Sequence, residues 1–248
     1  MKNKILIIGS NGLIGSNITQ YLIEHELNVI GIDKNINRSF IKNANFEGLK
    51  VNLSNKFELK EKIKLIKSSK IQAVIFCQRF SSSKTNKKKT GLDFGTDEVI
   101  DVEVKASIEI IELLISNKLL LKNSRLIFIT STNAIKISQQ SFFYHASKSM
   151  TEILIKWLSD RLKQLSINVN GIRIGLVDLN LKKKENIFSK TTKSTCIDNR
   201  GTQLEEITNL LMYLIFNSPK HLNSEIINLN GGYLNSDPYY NLKKLING

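Results

Sequence analysis

The feature that most restricts the fold is an apolar strand that runs into a glycine-rich loop and then into a helix. Residues 4–9 form the predicted strand, which ends at Gly9, and the loop after it carries Gly12 and Gly15. The apolar residues of 16–26 recur on one face and predict a helix. A strand, a tight turn and a helix in this order begin a βαβ unit, from which parallel sheets are built.

Strands and helices continue to alternate along the chain. Parallel strands joined by right-handed crossovers need helices on both faces of their sheet. The prediction is therefore an α/β protein: a three-layer α/β/α Rossmann fold with a doubly wound, mostly parallel sheet of about seven strands. Further strands are predicted at 28–33, 49–53, 71–77, 125–129, 167–174 and 225–229, and helices at 57–66, 97–121, 142–162 and 204–216.

Composition limits the domain organisation and the compartment. The 248 residues are 41% hydrophobic and include only 2 Pro, and no long Gly/Ser stretch could serve as a linker. One domain over residues 1–248 is therefore predicted, with the dinucleotide site and the active site both inside it. The 2 Cys show neither a disulfide pattern nor metal-ligand spacing, so we expect no metal and a reducing, cytoplasmic setting.

Charge and hydropathy argue against two classes of partner. The formal net charge is +14, but the basic residues are scattered and no nucleic-acid-binding motif accompanies them. No stretch approaches the ~20 apolar residues that a membrane-spanning helix needs. We therefore expect neither a nucleic-acid partner nor a membrane span.

The glycine loop and the strand ends predict a dinucleotide site. Ligands of doubly wound sheets lie beyond the carboxyl ends of the strands, and the helix after a glycine loop offers unpaired N–H groups to phosphates. The carboxylate of Asp33 would accept ribose hydroxyls and repel a 2′-phosphate, which favours NAD, while Lys34 and Arg38 leave NADP open. The predicted cofactor-binding residues are Gly9, Asn11, Gly12, Leu13, Ile14, Gly15, Asp33, Lys34, Asn52, Leu53, Cys77, Gln78, Tyr144, Lys148, Gly175 and Val177.

Tyr144 and Lys148 are the candidate acid/base pair. Four positions apart on the helix predicted at 142–162, they lie on the same face, one turn from each other. An ammonium beside a phenol favours its ionised form, and Ser131 at a strand end could polarise a carbonyl at the same point. These residue types suit proton transfer to a carbonyl/alcohol couple. A Tyr and a Lys at this spacing also occur by chance in helices, and Ser–Thr clusters are common in turns.

Six segments occur together in the order and spacing of one family. They are GSNGLIG at 9–15, Asp33, IFITST at 127–132, YHASK at 144–148, INVNGIRIGLVD at 167–178 and EIINLNGG at 225–232. On these segments the chain resembles the short-chain dehydrogenase/reductase superfamily, in its compact single-domain type, over essentially its whole length. The resemblance implies an NAD(P)-dependent oxidoreductase with a small-molecule carbonyl or alcohol substrate, and a homodimer or homotetramer built on the long helices.

The resemblance also implies a role for each residue of the candidate site. Tyr144 would exchange a proton with the substrate oxygen, Lys148 would support Tyr144 and bind the nicotinamide ribose, and Ser131 would hold the substrate oxygen. Glu103 stands where many members have a catalytic Asn. It is predicted either to hold a water that relays protons to Lys148 or to act as the counter-ion of Lys148.

Other departures from the family leave alternatives open. Cys77, Gln78 and Arg79 replace the usual Asn-Ala-Gly after the fourth strand, and Ile174 replaces a proline. A catalytically impaired dinucleotide-binding regulator or scaffold, or an epimerase/dehydratase-like relative, therefore stand beside the oxidoreductase as alternatives.

The loop residues bear on the substrate. Arg79 and lysine clusters at 84–89 and 182–184 suggest an anionic substrate, such as a sugar, a sugar phosphate or a sugar nucleotide of surface-polysaccharide biosynthesis. The alternative interpretation is that these loop lysines are simply solvated side chains. Phe142 and Phe143 either wall the substrate pocket or pack against their helix, and the neighbouring His145 is expected at the helix surface.

Overall fold

The computed structural model describes residues 3–66, 70–80, 94–178, 192 and 195–236. In this part of the chain seven strands form one sheet in the order β3-β2-β1-β4-β5-β6-β7, and all six pairings are parallel. The chain reverses its direction across the sheet between β1 and β4, which is the switch point of a doubly wound fold. The strands are β1 (Lys4–Ile8), β2 (Asn28–Asp33), β3 (Phe46–Lys50), β4 (Ile71–Phe76), β5 (Leu120–Ser131), β6 (Asn168–Ile174) and β7 (Ile226–Leu229).

The crossovers between the strands are mostly helical. Two π-helical segments, Asp101–Lys105 and Tyr213–Asn217, each continue the path of a preceding helix. The helices are α1 (Leu13–Glu24), α2 (Arg38–Ile41), α3 (Lys56–Lys64), α4 (Glu98–Ile100), α5 (Ala106–Ser116), α6 (Phe142–Arg161) and α7 (Leu204–Met212), with 3-10 turns at Thr132–Ala134, Lys163–Leu165 and Ile197–Asn199.

The core lies in two layers, one on each face of the sheet. Along β1, Leu6 and Ile8 face the cluster that includes buried residues of α3, α5 and α6, while Ile5 and Ile7 face the cluster with α1 and α7. This alternation follows from the two-residue period of a strand, and it leaves both faces of the sheet covered. The three-layer, doubly wound fold predicted from the sequence is confirmed.

The structure corrects several predicted element boundaries. β5, predicted at 125–129, runs from Leu120 to Ser131, because Leu120 pairs with Ile71 of β4 and Ser131 pairs with Ile174 of β6. β3 begins at Phe46 and not at residue 49, because Phe46 pairs with Val29 of β2 and its ring packs 5.4 Å from that of Phe40. The long helix ends at Ser116 and not near residue 121, because Lys118 has a positive φ of 54° and ends the helical path.

Candidate active site

The glycine loop is shaped by two close backbone approaches. Gly9 has a φ of +82°, and a Cβ on it would lie 2.6 Å from the Gln78 Cα. A Cβ on Gly15 would lie 2.0 Å from the carbonyl oxygen of Gly9, so the start of α1 rests directly on the end of β1. Neither position has room for a side chain. Gly9 thus permits the tight turn after β1, and Gly15 permits the close packing of α1 on β1.

The N-terminus of α1 opens onto a cleft. Gly12 is the N-cap residue of α1, and the first turn of the helix contains no acidic side chain. Leu13 and Ile14, the first two helical residues, line the cleft together with Gly12. Unpaired N–H groups at a helix N-terminus favour an anion such as a pyrophosphate.

The cleft has a volume of about 240 Å³ and follows the carboxyl ends of four neighbouring strands. It contains most of the predicted cofactor residues, and it adds Val51, Ser54, Phe80 and Val102, which sequence reasoning missed. The first three adjoin predicted residues and could have been included on that ground, whereas Val102 looks like any apolar helix residue. The lining residues are Gly9, Gly12, Leu13, Ile14, Asp33, Lys34, Val51, Asn52, Leu53, Ser54, Cys77, Gln78, Arg79, Phe80 and Val102.

Asp33 is held in place at one end of this cleft. Its two carboxylate oxygens accept backbone N–H groups, Oδ2 from Asn11 at 3.0 Å and Oδ1 from Asn35 at 3.2 Å. Asn11 therefore fixes the carboxylate without lining the cleft itself. A carboxylate oxygen has more than one lone pair, so Asp33 keeps the capacity to accept hydroxyl donors from a ribose.

Gln78 gives the cleft wall a polar atom without a partner. Its Nε2 donates to Ser107 Oγ at 2.7 Å and approaches the Glu103 carbonyl at 3.4 Å. Its Oε1 is buried and accepts no hydrogen bond within the described residues. An orphaned buried acceptor is costly unless a ligand supplies the donor. With the glycine cradle, the open helix N-terminus and Asp33, it makes these residues fit a dinucleotide.

A π-helical segment places Glu103 beside Lys148. In this segment the Ala106 N–H bonds to the Asp101 carbonyl, five residues back. Glu103 Oε2 lies 2.8 Å from Lys148 Nζ and accepts the Ser147 hydroxyl at 3.0 Å. The pair is buried, with side chains that are 2% and 8% exposed respectively. The contact is direct, as the counter-ion interpretation of Glu103 requires.

The ion pair determines the charge state of Lys148. Burial disfavours the charged ammonium, but the Glu103 carboxylate and Tyr144 favour it, and the balance raises the pKa of Lys148 above its ordinary value. The positive charge of Arg79 opposes this rise. Lys148 therefore stays protonated, although it is buried.

Tyr144 lies between two cations. Lys148 Nζ is 5.6 Å from the centroid of the phenol ring, and the guanidinium carbon of Arg79 is 4.9 Å from it. Arg79 is exposed and bonds through Nη2 to Gln140 Oε1 at 3.5 Å. Because Arg79 also lines the cleft, and Phe80 beside it donates its N–H to Glu103 Oε1 at 3.2 Å, the wall of the cleft adjoins the acid/base pair.

The other predicted site residues are not among those that line the cleft. Ser131 ends β5 and its hydroxyl accepts the Asn133 N–H at 3.2 Å; no hydrogen bond joins it to Tyr144 within the described residues. Gly175 packs against Asn230, and Val177 forms a bridge with Thr202. Their assigned roles stay predictions, as do those of Phe142, which is exposed, and Phe143, whose ring contacts that of Phe142.

His145 is buried, contrary to the prediction of a surface residue. Nδ1 lies 2.7 Å from the Asn133 carbonyl, and Nε2 accepts the Ser138 N–H at 3.3 Å. The ring thus ties α6 to the loop after β5. The loop after β5 covers the ring, and the residues of α6 alone do not indicate the position of that loop.

Three further sequence predictions concern the loop lysines, a metal site and a membrane span. The lysine clusters at 84–89 and 182–184 lie outside the described residues. Within the described residues no group of His, Cys, Asp and Glu side chains is arranged to hold a metal ion. Over the same ranges, the helices are too short or too polar to cross a membrane.

Comparison with known proteins identifies the family. The family model described as short chain dehydrogenase matches residues 3–189. No curated protein matches the sequence. The chain belongs to the short-chain dehydrogenase family, and it is thus an oxidoreductase that uses a nicotinamide dinucleotide.

Solved structures share the fold at low sequence identity. A short chain dehydrogenase family protein from Francisella tularensis subsp. tularensis SCHU S4 is 22% identical, with a TM-score of 0.80 over 94% of this chain and 99% of that one. The structure of 4-hydroxyisoleucine dehydrogenase complexed with NADH is 20% identical, with a TM-score of 0.81 over 95% of this chain and 100% of that one. A short chain dehydrogenase from Leptospira borgpetersenii with bound NAD+ is 18% identical, with a TM-score of 0.79 over 94% of this chain and 93% of that one. At these identities the likeness shows the fold alone.

Proposed function

We propose that the chain is an NAD(H)-preferring oxidoreductase that interconverts a carbonyl and an alcohol at Tyr144. The observation that carries the proposal is the contact of the cleft wall with the acid/base pair: Arg79 lies over the Tyr144 ring, and Phe80 bonds to the carboxylate that holds Lys148. A dinucleotide cleft and a proton-transfer group therefore adjoin each other, and both would belong to one domain.

The glycine loop, the N-terminus of α1, Asp33 and Gln78 would hold the cofactor. Bound there, the nicotinamide would supply or accept a hydride. The Asp33 carboxylate supports NAD over NADP, since a second negative charge on the ribose would be repelled. Two of the structurally similar dehydrogenases are described with NADH or NAD+.

Three side chains would handle the proton and the substrate oxygen. The Tyr144 hydroxyl would give its proton to the carbonyl oxygen or take one from the alcohol. Ser131, at the end of β5, would hold that oxygen by a hydrogen bond. Lys148, fixed by Glu103, would support the ionised form of Tyr144 and bind the ribose. Glu103 would act as the counter-ion, because its Oε2 contacts the Lys148 ammonium directly at 2.8 Å.

An anionic group on the substrate is a finer part of the proposal. Arg79 is exposed at the cleft, and its only hydrogen bond within the described residues goes to the neutral Gln140. A guanidinium in this state can bind a carboxylate or phosphate with two hydrogen bonds. We therefore place acidic sugars, sugar phosphates and sugar nucleotides first among the carbonyl compounds to be screened.

A second copy of the chain is the proposed partner. Met150, Ile153 and Trp157 are exposed and recur at helical spacing along α6. Large exposed apolar side chains in one stripe mark a protein interface more often than a solvated surface. We propose a homodimer or homotetramer that packs on this face, and a reducing cytoplasmic setting in view of the free Cys77 and Cys196.

The test combines binding with turnover. We expect NADH to bind at least about 10-fold more tightly than NADPH in a calorimetric titration, a difference of about 1.4 kcal/mol, because the Asp33 carboxylate would repel the 2′-phosphate. The Tyr144→Phe variant should keep this binding and lose turnover by about 10²–10⁴-fold in a screen of ketones and keto sugars.

Tyr213→Phe is the matched control, because Tyr213 is an exposed tyrosine of the π-helical segment after α7. It should leave both binding and turnover unchanged. Tight NADH binding without turnover of any compound in the panel would favour the regulator. Turnover that survives in Tyr144→Phe within a factor of about 10 would refute the acid/base assignment.

A further inference from the structure

His145 is a buried residue of α6 whose ring bridges two backbone groups of the loop at 132–141. Its Nδ1 lies 2.7 Å from the Asn133 carbonyl oxygen, and its Nε2 lies 3.3 Å from the Ser138 nitrogen. This loop begins directly after Ser131 and ends at the start of the helix that carries Tyr144. The imidazole thus connects the strand end with the proposed substrate-binding serine to the helix with the proposed acid/base tyrosine.

The two contacts require one particular tautomer of the imidazole. A backbone N–H can only donate, so Nε2 is the unprotonated nitrogen that accepts the Ser138 N–H. The Ser138 hydroxyl, 3.4 Å from the same nitrogen, can donate to it as well. Nδ1 then carries the proton of the neutral ring and donates it to the Asn133 carbonyl, which can only accept. Each ring nitrogen therefore has a partner that fits its role.

Asn133 links the imidazole to the Ser131 hydroxyl. The Asn133 N–H donates to the Ser131 hydroxyl oxygen at 3.2 Å, while the Asn133 carbonyl accepts from His145. The bond from Asn133 uses a lone pair of the hydroxyl oxygen and leaves the hydroxyl proton for another acceptor. The direction in which Ser131 can donate that proton depends on the position of Asn133, which His145 holds.

Ser149 holds the next residue of the loop independently of the imidazole. Its hydroxyl donates to the Ala134 carbonyl at 2.7 Å, which is a second link between α6 and the loop. This link should remain when the bonds of His145 are removed. We therefore expect a change at His145 to displace Asn133 locally and not to detach the loop from α6.

We propose that His145 is a positioning residue for Ser131: through Asn133 it holds the serine hydroxyl where that hydroxyl binds the substrate oxygen. This inference rests on the role of Ser131 in the proposed function. The substrate oxygen gains negative charge in the transition state of carbonyl reduction, so a misplaced donor raises the barrier more than it weakens substrate binding. His145 is not among the residues that line the cleft, and the affinity for the cofactor should not depend on it.

The first experiment tests this arrangement without turnover. The chain contains 3 His, so protein labelled with ¹⁵N-histidine gives few ring signals, and the signals that disappear in His145→Leu belong to His145. A long-range ¹H–¹⁵N spectrum should show His145 as the neutral tautomer with its proton on Nδ1. A crystal structure of His145→Leu should show the Asn133 N–H displaced from the Ser131 hydroxyl. A His145 proton on Nε2, or an undisplaced Asn133, would overturn the inference, whatever the activity.

The second experiment separates the two contacts of the ring by three substitutions. Asparagine places an amide N–H donor near the position of Nδ1, glutamine places a carbonyl acceptor near that of Nε2, and leucine offers neither. His145→Leu should lower kcat roughly 10–100-fold and change KM by less than about 3-fold, because a displacement of about 1 Å costs up to 10²-fold in rate. His145→Asn should recover most of this loss and His145→Gln little, since only the donor to Asn133 acts on Ser131.

His25→Leu is the matched control. The Nδ1 of His25 also contacts a backbone carbonyl, that of Tyr21 at 2.8 Å, but this ring is exposed at the C-terminus of α1 and stacks on Tyr21. The control should leave kcat and KM unchanged. An NADH titration should give the parent affinity for every His145 variant, which distinguishes a misplaced Ser131 from general damage to the fold.

A double-mutant cycle with Ser131→Ala decides whether His145 acts through Ser131. Added to Ser131→Ala, the His145→Leu change should lower kcat by less than about 2-fold further, because the group that it positions is already absent. A further loss as large as in the parent protein would show that His145 does not act through Ser131. If the tautomer and the displacement of Asn133 are as expected but the parent protein turns over no carbonyl compound, the proposed oxidoreductase function fails, whereas the hold of His145 on Ser131 stands.

Discussion

At the residue scale, the ion pairs Arg173–Glu152 and Lys148–Glu103 differ in the groups that surround them. Arg173 binds Glu152 with two hydrogen bonds, at 2.8 and 2.6 Å, and this links β6 to α6. Thr130 also donates to Glu152, so three hydrogen bonds from two side chains hold the carboxylate. Lys148 and Glu103, by contrast, adjoin the wall of the cleft through Phe80. The two hydrogen bonds from Arg173 to one carboxylate suit a structural link. Lys148 makes a single contact with Glu103, so its ammonium keeps N–H donors for a ligand.

Cys77 is protected at the residue scale by its position behind the glycine loop. Its Sγ lies 3.1 Å from the Ile8 carbonyl, and burial together with Asp33 raises its pKa to about 12. At pH 8 we expect iodoacetamide to alkylate Cys77 roughly 10³-fold more slowly in the folded than in the unfolded protein, because only the thiolate reacts. Peptide mapping by mass spectrometry measures both rates, and equal rates would contradict the assignment.

The same thiol affects stability at alkaline pH. An unfolded cysteine ionises near its model value of 9.0, while the folded Cys77 keeps its proton to about 12. Between these values the unfolded state binds fewer protons, so the free energy of unfolding falls as the pH rises. Below pH 9 this contribution is constant. In Cys77→Ser the fall above pH 9 should be smaller, as urea titrations at several pH values would show.

At the element scale, the join between β1 and α1 tolerates little change. A Cβ on Gly15 would lie 2.0 Å from the Gly9 carbonyl oxygen, whereas a Cβ on Gly12 would lie 3.3 Å from it. Gly15→Ala should therefore lower the free energy of unfolding by roughly 1–3 kcal/mol, as expected for overpacking. Gly12→Ala is the matched control: it should cost less stability but weaken NADH binding about 10-fold or more, since the methyl group enters the cleft.

Urea unfolding and an NADH titration on both variants separate the two effects. Equal losses of stability in the two variants would show that α1 can move away from β1. Unchanged NADH binding in Gly12→Ala would show that the cofactor does not approach this part of the loop.

At the scale of the whole molecule, the exposed stripe on α6 gives the assembly prediction. Replacing Ile153 and Trp157 by Lys should convert a dimer or tetramer into a smaller species, because two charges would be buried at the interface. Sedimentation velocity measures the change. Ile41→Lys on α2, which follows β2 toward the β3 edge of the sheet, is the control and should leave the assembly intact. A parent protein that sediments as a monomer would contradict the proposal.

The sequence by itself determined the fold and the main residues of the cleft. The alternation of strands and helices follows from short-range periodicity. The glycine loop and the strand end at Asp33 are also local features, because neighbouring residues determine them. The Tyr144–Lys148 spacing is likewise local to α6. Several boundaries were wrong, among them the starts of β3 and β5 and the end of α5, where pairing with a distant strand and a single left-handed residue outweigh local propensity.

Only the tertiary structure decided the charges around Tyr144. Glu103 reaches Lys148, and Arg79 reaches the Tyr144 ring, because separate crossovers of the sheet bring these segments to the same edge. The burial of His145 has the same origin, since a loop from another strand covers it. Contacts between residues far apart in the chain depend on how the crossovers pack, and a pattern read along the sequence contains no such information.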